Sequence, residues 1–544
     1  MFKSLRSFSR YIPWFTCVML AILFAVQLYF GASSTLGHVI FFGAFVFLSV
    51  VGLRDMSQTK HAILRNYPVS GHLRFLFETF RPEIRQYFLE TDTEKIPFSR
   101  NQRALVYQRS KSASDKRPLG TLMDHYQIGS EWLVHSLSPK TATKPEDLRI
   151  TVGGPSCKKP YSISIFNISA MSFGALSANA IMALNKGAKM GGFAHDTGEG
   201  SVSDYHSRYG GDLTWQVASG YFGCRGPDGK FDAEKFALVA NEDQVKMIEI
   251  KLSQGAKPGH GGVLPAAKIT PEIARTRGIP MGEDCNSPAA HSAFTNPLEL
   301  MAFIQQLRDL SRGKPIGMKL CIGKTTDWFA IVKAMLQTKI TPDFIVIDGS
   351  EGGTGAAPVE FVDHVGTPMR EGLRLVHMTL IGAGLRDQIK LGVAGKIVSA
   401  FDIVRACSLG ADWCNSARGF MFAVGCIQSR SCHTDLCPTG VATQDAMRQR
   451  ALDPMDKAHR VYHYHHNTLV ALGELLAAAG FSHPSELDAD MIIRRNEQGV
   501  AIPLQKQLFH LDSGELLNPF PEKCLDAHFE GMGNFWLQAN PAQW

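Results

Sequence analysis

Three cysteines stand close together late in the chain, in Gly425-Cys-Ile-Gln-Ser-Arg-Ser-Cys-His-Thr-Asp-Leu-Cys-Pro438. Five residues separate Cys426 from Cys432 and four separate Cys432 from Cys437. Thiolates are soft ligands, and three in one loop suit iron and sulfide. Three thiolates without a fourth point to a cluster with three irons, which passes single electrons. Zinc, with His433 as fourth ligand, is the rival reading, against which the spacing speaks because it lacks the C-x2-C pairs of common zinc sites. A disulfide is the other alternative. The remaining cysteines, such as Cys285, Cys321, Cys407 and Cys414, sit singly among apolar or small residues, as reduced core thiols of a cytoplasmic protein do.

A second set of chemistry-bearing residues lies in glycine-rich loops. Ser169-Ala-Met-Ser-Phe-Gly174 offers small residues at Ala170 and Ser172, beside Met171, where a flat ring could approach the backbone. Asp196-Thr-Gly-Glu-Gly200 supplies carboxylates, Glu199 among them, and Ile250 to Gly259 supplies Lys251, Gln254 and Lys257. Asp348-Gly-Ser-Glu-Gly-Gly-Thr-Gly355 places Gly352, Gly353, Thr354 and Gly355 beside two carboxylates. Gly392-Val-Ala-Gly-Lys396, with Gly392 and Gly395, is expected to open a helix, and Ala417 and Arg418 follow a further apolar run. Backbone N–H groups at two such consecutive loops suit a phosphoryl group, and flavin mononucleotide (FMN) is the natural occupant. Lys319, a charge at the end of the apolar run Gly317-Met-Lys-Leu320, must find a partner or face a pocket. Beside a flavin it would face the N1 and O2 edge. For any one loop, tight-turn geometry alone is the simpler reading; their succession at strand ends favours a site.

The elements that must position these loops begin near Ile150, where short β-rich runs alternate with helical stretches, the pattern of βα units around a parallel sheet. Strands are expected at Ser162 to Ile168, Met247 to Lys251, Pro315 to Leu320, Phe344 to Asp348 and Gln388 to Val393. Helices are expected at Ser177 to Lys189, Pro297 to Leu307, Trp328 to Thr338 and Lys396 to Leu409, from apolar spacing near 3.6. The fold class is therefore α/β, a TIM-type (β/α)8 barrel with its active site where the strands end.

From Tyr11 to Leu53 there is no Lys, Arg, Asp or Glu. As one helix this run would be about 65 Å long against a hydrocarbon core of about 30 Å, so two crossings are expected, broken at Gly31 to His38. Lys3, Arg6 and Arg10 precede the pair, and Arg54, Lys60 and Arg65 follow it. The positive-inside rule then puts both ends in the cytoplasm, which gives a two-helix inner-membrane anchor with a cytoplasmic catalytic part. A cleaved signal peptide fits less well, because a second apolar stretch follows the first. The expected organisation is a hairpin at 1–54, a lead-in segment at 55–149, the barrel at 150–450 and a helical extension at 451–544. The chain carries a net charge of +6, but its Lys and Arg are dispersed, which argues against a nucleic-acid surface.

From about Pro155 to Ile492 the chain resembles the FMN-binding synthase domain of glutamate synthases. The resemblance rests on Ala170-Met-Ser-Phe-Gly174, Asp196-Thr-Gly-Glu-Gly200, Gln216-Val-Ala-Ser-Gly-Tyr-Phe-Gly223, Gln254-Gly-Ala-Lys-Pro-Gly259, Gly352-Gly-Thr-Gly-Ala-Ala-Pro358, and Cys426 to Cys437 running into Pro438-Thr-Gly-Val-Ala-Thr-Gln444. It implies FMN, with Gln216 among its contacts, a 3Fe-4S cluster on the three cysteines, and reductive amination of 2-oxoglutarate to L-glutamate through 2-iminoglutarate. Lys251, Gln254 and Lys257 then become candidates for holding the substrate carboxylates, and Glu199 for proton handling or for capping its loop. An electron donor such as ferredoxin or a reductase subunit is implied.

The chain departs from that pattern at His260, where the synthases carry Glu, and at His291-Ser-Ala293. Apolar segments stand where those enzymes carry a glutaminase, so externally supplied ammonia is expected. The departures also admit a flavin and iron-sulfur oxidoreductase with another substrate that exchanges electrons with a quinone or membrane redox partner. A non-catalytic redox sensor or scaffold is a third reading. His463, His465 and His466 are expected to pack a helix rather than bind metal.

Overall fold

The computed structural model describes residues 9–31, 36–94 and 97–544. Lys3, Arg6 and part of the loop between the two apolar segments lie outside the described residues. The chain divides into two compact units, 1–94 and 95–544. The segment 55–149 is shared between them.

In the N-terminal unit, helices α1 (Ile12–Tyr29) and α2 (Leu36–Ser57) are each long and apolar enough to cross a bilayer. They pack on each other through Phe24, whose ring stacks on Phe41 and Phe45, and Trp14 Nε1 donates to the Ser49 carbonyl at 2.9 Å. Gly52 makes that approach possible, since a Cβ there would stand 2.0 Å from the Trp14 ring.

The larger unit is a closed eight-stranded parallel barrel. Its strands are β1 (Phe166–Ile168), β2 (His195–Asp196), β3 (Leu213–Val217), β4 (Val245–Lys251), β5 (Ile316–Leu320), β6 (Phe344–Asp348), β7 (Lys390–Ala394) and β8 (Trp413–Ser416). Closure is made by β8 on β1, with Cys414 opposite Phe166 and Ser416 opposite Ile168. The expected helices are present as α3 (Ala178–Gly191), α4 (Pro297–Leu310), α5 (Thr325–Thr338) and α6 (Ala400–Ser408). Ser177, read as the first residue of α3, is its cap, accepting the Ala180 N–H at 3.1 Å.

Two expectations need correction. The run Ser162 to Ile168 is two elements, a strand Tyr161–Ser164 paired antiparallel with Arg149–Val152 and then β1. Asn167 Nδ2 turns the chain between them by donating to the Ser164 carbonyl. Gly392 does not open a helix but lies inside β7, opposite Trp413, whose ring a Cβ at Gly392 would meet at 2.5 Å. The helix α6 begins later, at a capping box formed by Ser399 and Asp402.

The segment 97–149 and the C-terminal residues pack on the barrel. Phe98, Val106 and Leu148 join the barrel's apolar core. The long helix α7 (Pro454–Ala479) docks on α3, with His465 stacked on Phe193 at 3.8 Å and bonded to Ser164 Oγ at 3.0 Å. Burial pulls its imidazole down to about 3, so His465 is a neutral packing residue.

Candidate active site

Strand register decides which charges meet at the barrel mouth. Across β4 and β5, Lys251 stands opposite Lys319, and across β3 and β4, Gln216 stands opposite Glu249. Partners in register project to the same side of a sheet, so both pairs are built by the fold and not by loop conformation. Gln216 Nε2 donates to Glu249 Oε1 at 2.6 Å. Lys319 is buried, with Nζ 3.4 Å from Asp348 Oδ2. Burial alone would lower its pKa, but Asp348, Glu249 and Asp196 outweigh that and hold the ammonium well above its ordinary value. Asp196 and Glu249 are both raised, first by burial, and they share a hydrogen bond.

Above this floor opens a cleft of about 1550 Å³, counting its open mouth. Its walls bring together Ala170, Met171, Ser172, Glu199, Gln216, Lys251, Gln254 and Lys319 with Gly352, Gly353, Thr354, Gly355, Gly395, Ala417 and Arg418. The loops are drawn close by glycines. A Cβ at Gly198, where φ is +65°, would stand 2.7 Å from the Ser172 nitrogen, and one at Gly255 would stand 1.8 Å from the Gly349 carbonyl oxygen. Glu199 Oε2 lies 2.9 Å from Lys251 Nζ. Burial acts to raise this carboxyl, yet Lys251, Arg277 and Lys257 prevail and keep it below its ordinary value, so it is ionised.

Of the candidates for holding flavin or substrate, two fall outside the cleft. Gly392 is a strand residue, as above, and Lys257 is buried behind the wall with Nζ 3.5 Å from the Ala356 carbonyl oxygen. His260 is exposed, its ring against Phe361 at 5.3 Å, and does not line the cleft. His291 is buried behind Lys251, with Nε2 2.9 Å from the Lys251 carbonyl oxygen and Nδ1 3.1 Å from the Tyr221 hydroxyl.

Sequence reasoning missed Lys268 and Arg277, both buried and both on the wall. They arrive on an excursion between β4 and β5 whose short strands Val263–Leu264 and Cys285–Asn286 pair with each other outside the barrel. Arg277 Nη2 donates to the Phe173 carbonyl at 3.1 Å and to Ser172 Oγ at 3.3 Å. Lys268 Nζ donates to the Ala175 and Cys432 carbonyls, each at 3.1 Å. Nothing in Ala266-Ala-Lys268 or Arg275-Thr-Arg277 marks them as more than helix-end charges.

The cysteine loop adjoins the cleft. Cys432 and His433 line it, and a Cβ at Gly355 would meet Cys432 Cβ at 3.3 Å. Cys437 is buried and accepts backbone N–H groups of Thr439, Val441 and Ala442, which overcome burial and lower its pKa. The Gln428 N–H points at Cys426 Sγ at 3.4 Å. Gln428, Arg430 and Asp435 all adopt positive φ, a strained path that the loop keeps while directing its thiols. The three thiols are free, and among the described residues no group of three or more His, Cys, Asp or Glu stands close enough to hold a metal ion. For a flavin, the fit rests on the cation at the floor, the small-residue wall, and the β7 and β8 ends, where Gly395, Lys396, Ala417 and Arg418 converge.

Residues 104–482 match the family model described as a conserved region in glutamate synthase. The glutamate synthase large subunit-like protein YerD of Bacillus subtilis is 36% identical over 497 residues, 84% of this chain and 94% of that protein. The archaeal glutamate synthase (NADPH) of Methanocaldococcus jannaschii is 37% identical over 316 residues, 58% of this chain and 59% of that protein's length. Among solved structures, a flavocytochrome b2 variant with pyruvate bound aligns over 77% of this chain and 85% of its own at a TM-score of 0.38 and 12% identity. The barrel with its lysine-floored cleft, and a family match over most of its length, place the chain in the glutamate synthase family, as an oxidoreductase built on that family's FMN-binding synthase domain.

Proposed function

We propose that this chain carries out an FMN- and 3Fe-4S-dependent reductive amination of 2-oxoglutarate, using ammonia supplied to it, to yield L-glutamate. The observation that carries the reading is the ionised Glu199 against Lys251, beside Gln254 and Arg277, on one wall of a cleft floored by Lys319. Lys251, Gln254 and Arg277 suit the two carboxylates of a keto acid. Glu199, held as a carboxylate, suits an ammonium ion or the protonated imine that condensation produces, and can take up the proton released there. Lys257, one layer back, adds positive charge behind the same wall.

Bound FMN would supply hydride transfer, and the cluster single-electron delivery. Lys319 would hold negative charge at the floor of the cleft, while Gly395, Lys396, Ala417 and Arg418 would hold the phosphate. Ala170, Met171 and Ser172 leave room for a flat ring, and Gly352 to Gly355 bridge the cleft to the cysteine loop. Cys426, Cys432 and Cys437 would ligate the cluster. The electron donor is a ferredoxin or a reductase subunit, and α1 and α2 anchor the chain in the inner membrane with the barrel on the cytoplasmic side.

Anaerobic turnover of the purified chain with 2-oxoglutarate, ammonium and reduced ferredoxin should give glutamate. If flavin is present and reducible yet no glutamate forms, the amination is wrong. A second reading, electron exchange with a quinone, is favoured by the two membrane-length helices. Quinone-dependent flavin reoxidation in membranes that ignores 2-oxoglutarate would support it instead.

A further inference from the structure

The helix Gly71–Ile84 in the N-terminal unit presents Leu73, Leu76, Phe77, Phe80 and Ile84 at steps of i, i+3, i+4, i+7 and i+11, one continuous stripe. All five are exposed, Phe77 at 63%. Five large apolar side chains in one row are more than a protein leaves in contact with water by chance. The helix runs on into a π-helical turn, Arg85–Leu89, but Arg74, Glu78, Arg81, Glu83 and Arg85 along it keep it from crossing a bilayer. Opposite the stripe lie Glu78 and Thr79 with Pro82 and Phe75, the last half-buried with its ring against His61. Arg74 and Arg81 flank the stripe on one side and Glu83 on the other, and long basic side chains there can reach headgroups while their stems lie along apolar surface.

What covers the stripe is indicated by where the helix is fastened. Asp55, in the last turn of α2, is buried and accepts the Val69 N–H at 3.0 Å and faces His72 Nε2 at 2.9 Å. One carboxylate thus ties the start of the short helix to the end of the apolar span, at the level where hydrocarbon gives way to headgroups. Residues 54–85, nearest the apolar span, carry six Lys and Arg against three Asp and Glu, one of them the buried Asp55. Arg74 pairs with Glu78 and Arg85 with Glu94, and Glu90, Asp92 and Glu94 balance the charge farther along, so the positive excess is local to the end of the span. An anionic lipid surface complements that excess.

We propose that Gly71–Ile84 lies in the plane of an anionic bilayer surface, with its Leu73 to Ile84 stripe among the upper acyl chains and its arginines at the headgroups. This rests on the reading of α1 and α2 as a membrane hairpin. The test is photocrosslinking of the full chain in vesicles of phosphatidylcholine and phosphatidylglycerol, with p-benzoylphenylalanine replacing Phe80, Thr79 or Phe47 in separate preparations. Phe47 is exposed on α2 and reports the hairpin. The expected result is lipid adducts at 80 and 47, severalfold fewer at 79, and a lower yield at 80 when phosphatidylglycerol is omitted. Lipid adducts at 47 with none at 80, equal yields at 79 and 80, or adducts from 80 to protein or to a second copy would overturn the proposal and leave the hairpin standing. An unchanged yield at 80 without phosphatidylglycerol would overturn the anionic preference. No lipid adduct at either 47 or 80 would remove the hairpin and the proposal with it.

Discussion

Lys319 faces Asp348, Glu249 and Asp196 in the interior of the barrel mouth, and the floor's charge depends on it. Replacing it by Met leaves the buried Asp196 and Glu249 and the half-buried Asp348 without that cation, and breaking such a pair costs about 3–5 kcal/mol. Lys319→Met should therefore unfold at lower temperature and retain less flavin per chain; unchanged flavin content and reduction would remove its assigned role. Glu249 carries a different signature. Burial first, then the charge of Asp196, raise its carboxyl, so the folded chain holds a proton that the unfolded chain releases. The resulting stability is complete below the unfolded value near 4.5 and is lost as pH rises through the higher folded value. Glu249→Gln keeps an acceptor for Gln216 and removes the titration, so its unfolding free energy should fall less between about pH 5 and 8 than the parent's. Parallel slopes in denaturant titrations would contradict this. A lysine ending an apolar run was legible in the sequence, whereas Glu249 in Ile248-Glu-Ile250 reads as an ordinary strand residue until register sets Gln216 opposite it.

At the scale of elements, the two ends of the barrel have separate duties. At the end away from the cleft, buried Asp343 accepts the Gly154 and Ile316 N–H groups at 2.7 and 2.8 Å and pairs with Arg308 at 3.2 Å. Asp343→Ala leaves Arg308 buried without that partner, so a loss of about 3–5 kcal/mol is expected. The KM for the substrate should not change, because no cleft residue touches Asp343. Equilibrium unfolding and steady-state kinetics on the same preparation check both halves. The strands β4 to β7 were legible because each is an apolar run ending at a loop with glycine or charge. β2 was not, being a two-residue ladder at His195–Asp196, nor was β3, whose Thr214 and Gln216 turn polar groups inward and hide its burial. The excursion that delivers Lys268 and Arg277 carries no periodicity that points at the barrel. Its contribution exists only in three dimensions.

The whole molecule joins an oxidoreductase barrel to a unit with two membrane-length helices and a short amphipathic one. Every cofactor contact proposed above lies within the unit 95–544, so cofactor content is expected to follow the barrel and not the N-terminal unit. The reading of the cysteine loop as a three-iron centre beside FMN is the central claim, and the rival it must exclude is zinc. The most direct measurement is the visible spectrum of the anaerobically purified full chain together with its flavin, iron, sulfide and zinc content. A brown protein with one FMN, three irons and labile sulfide per chain is the expected result, lost for iron and sulfide in Cys432→Ser; a colourless protein holding zinc and no flavin would contradict it.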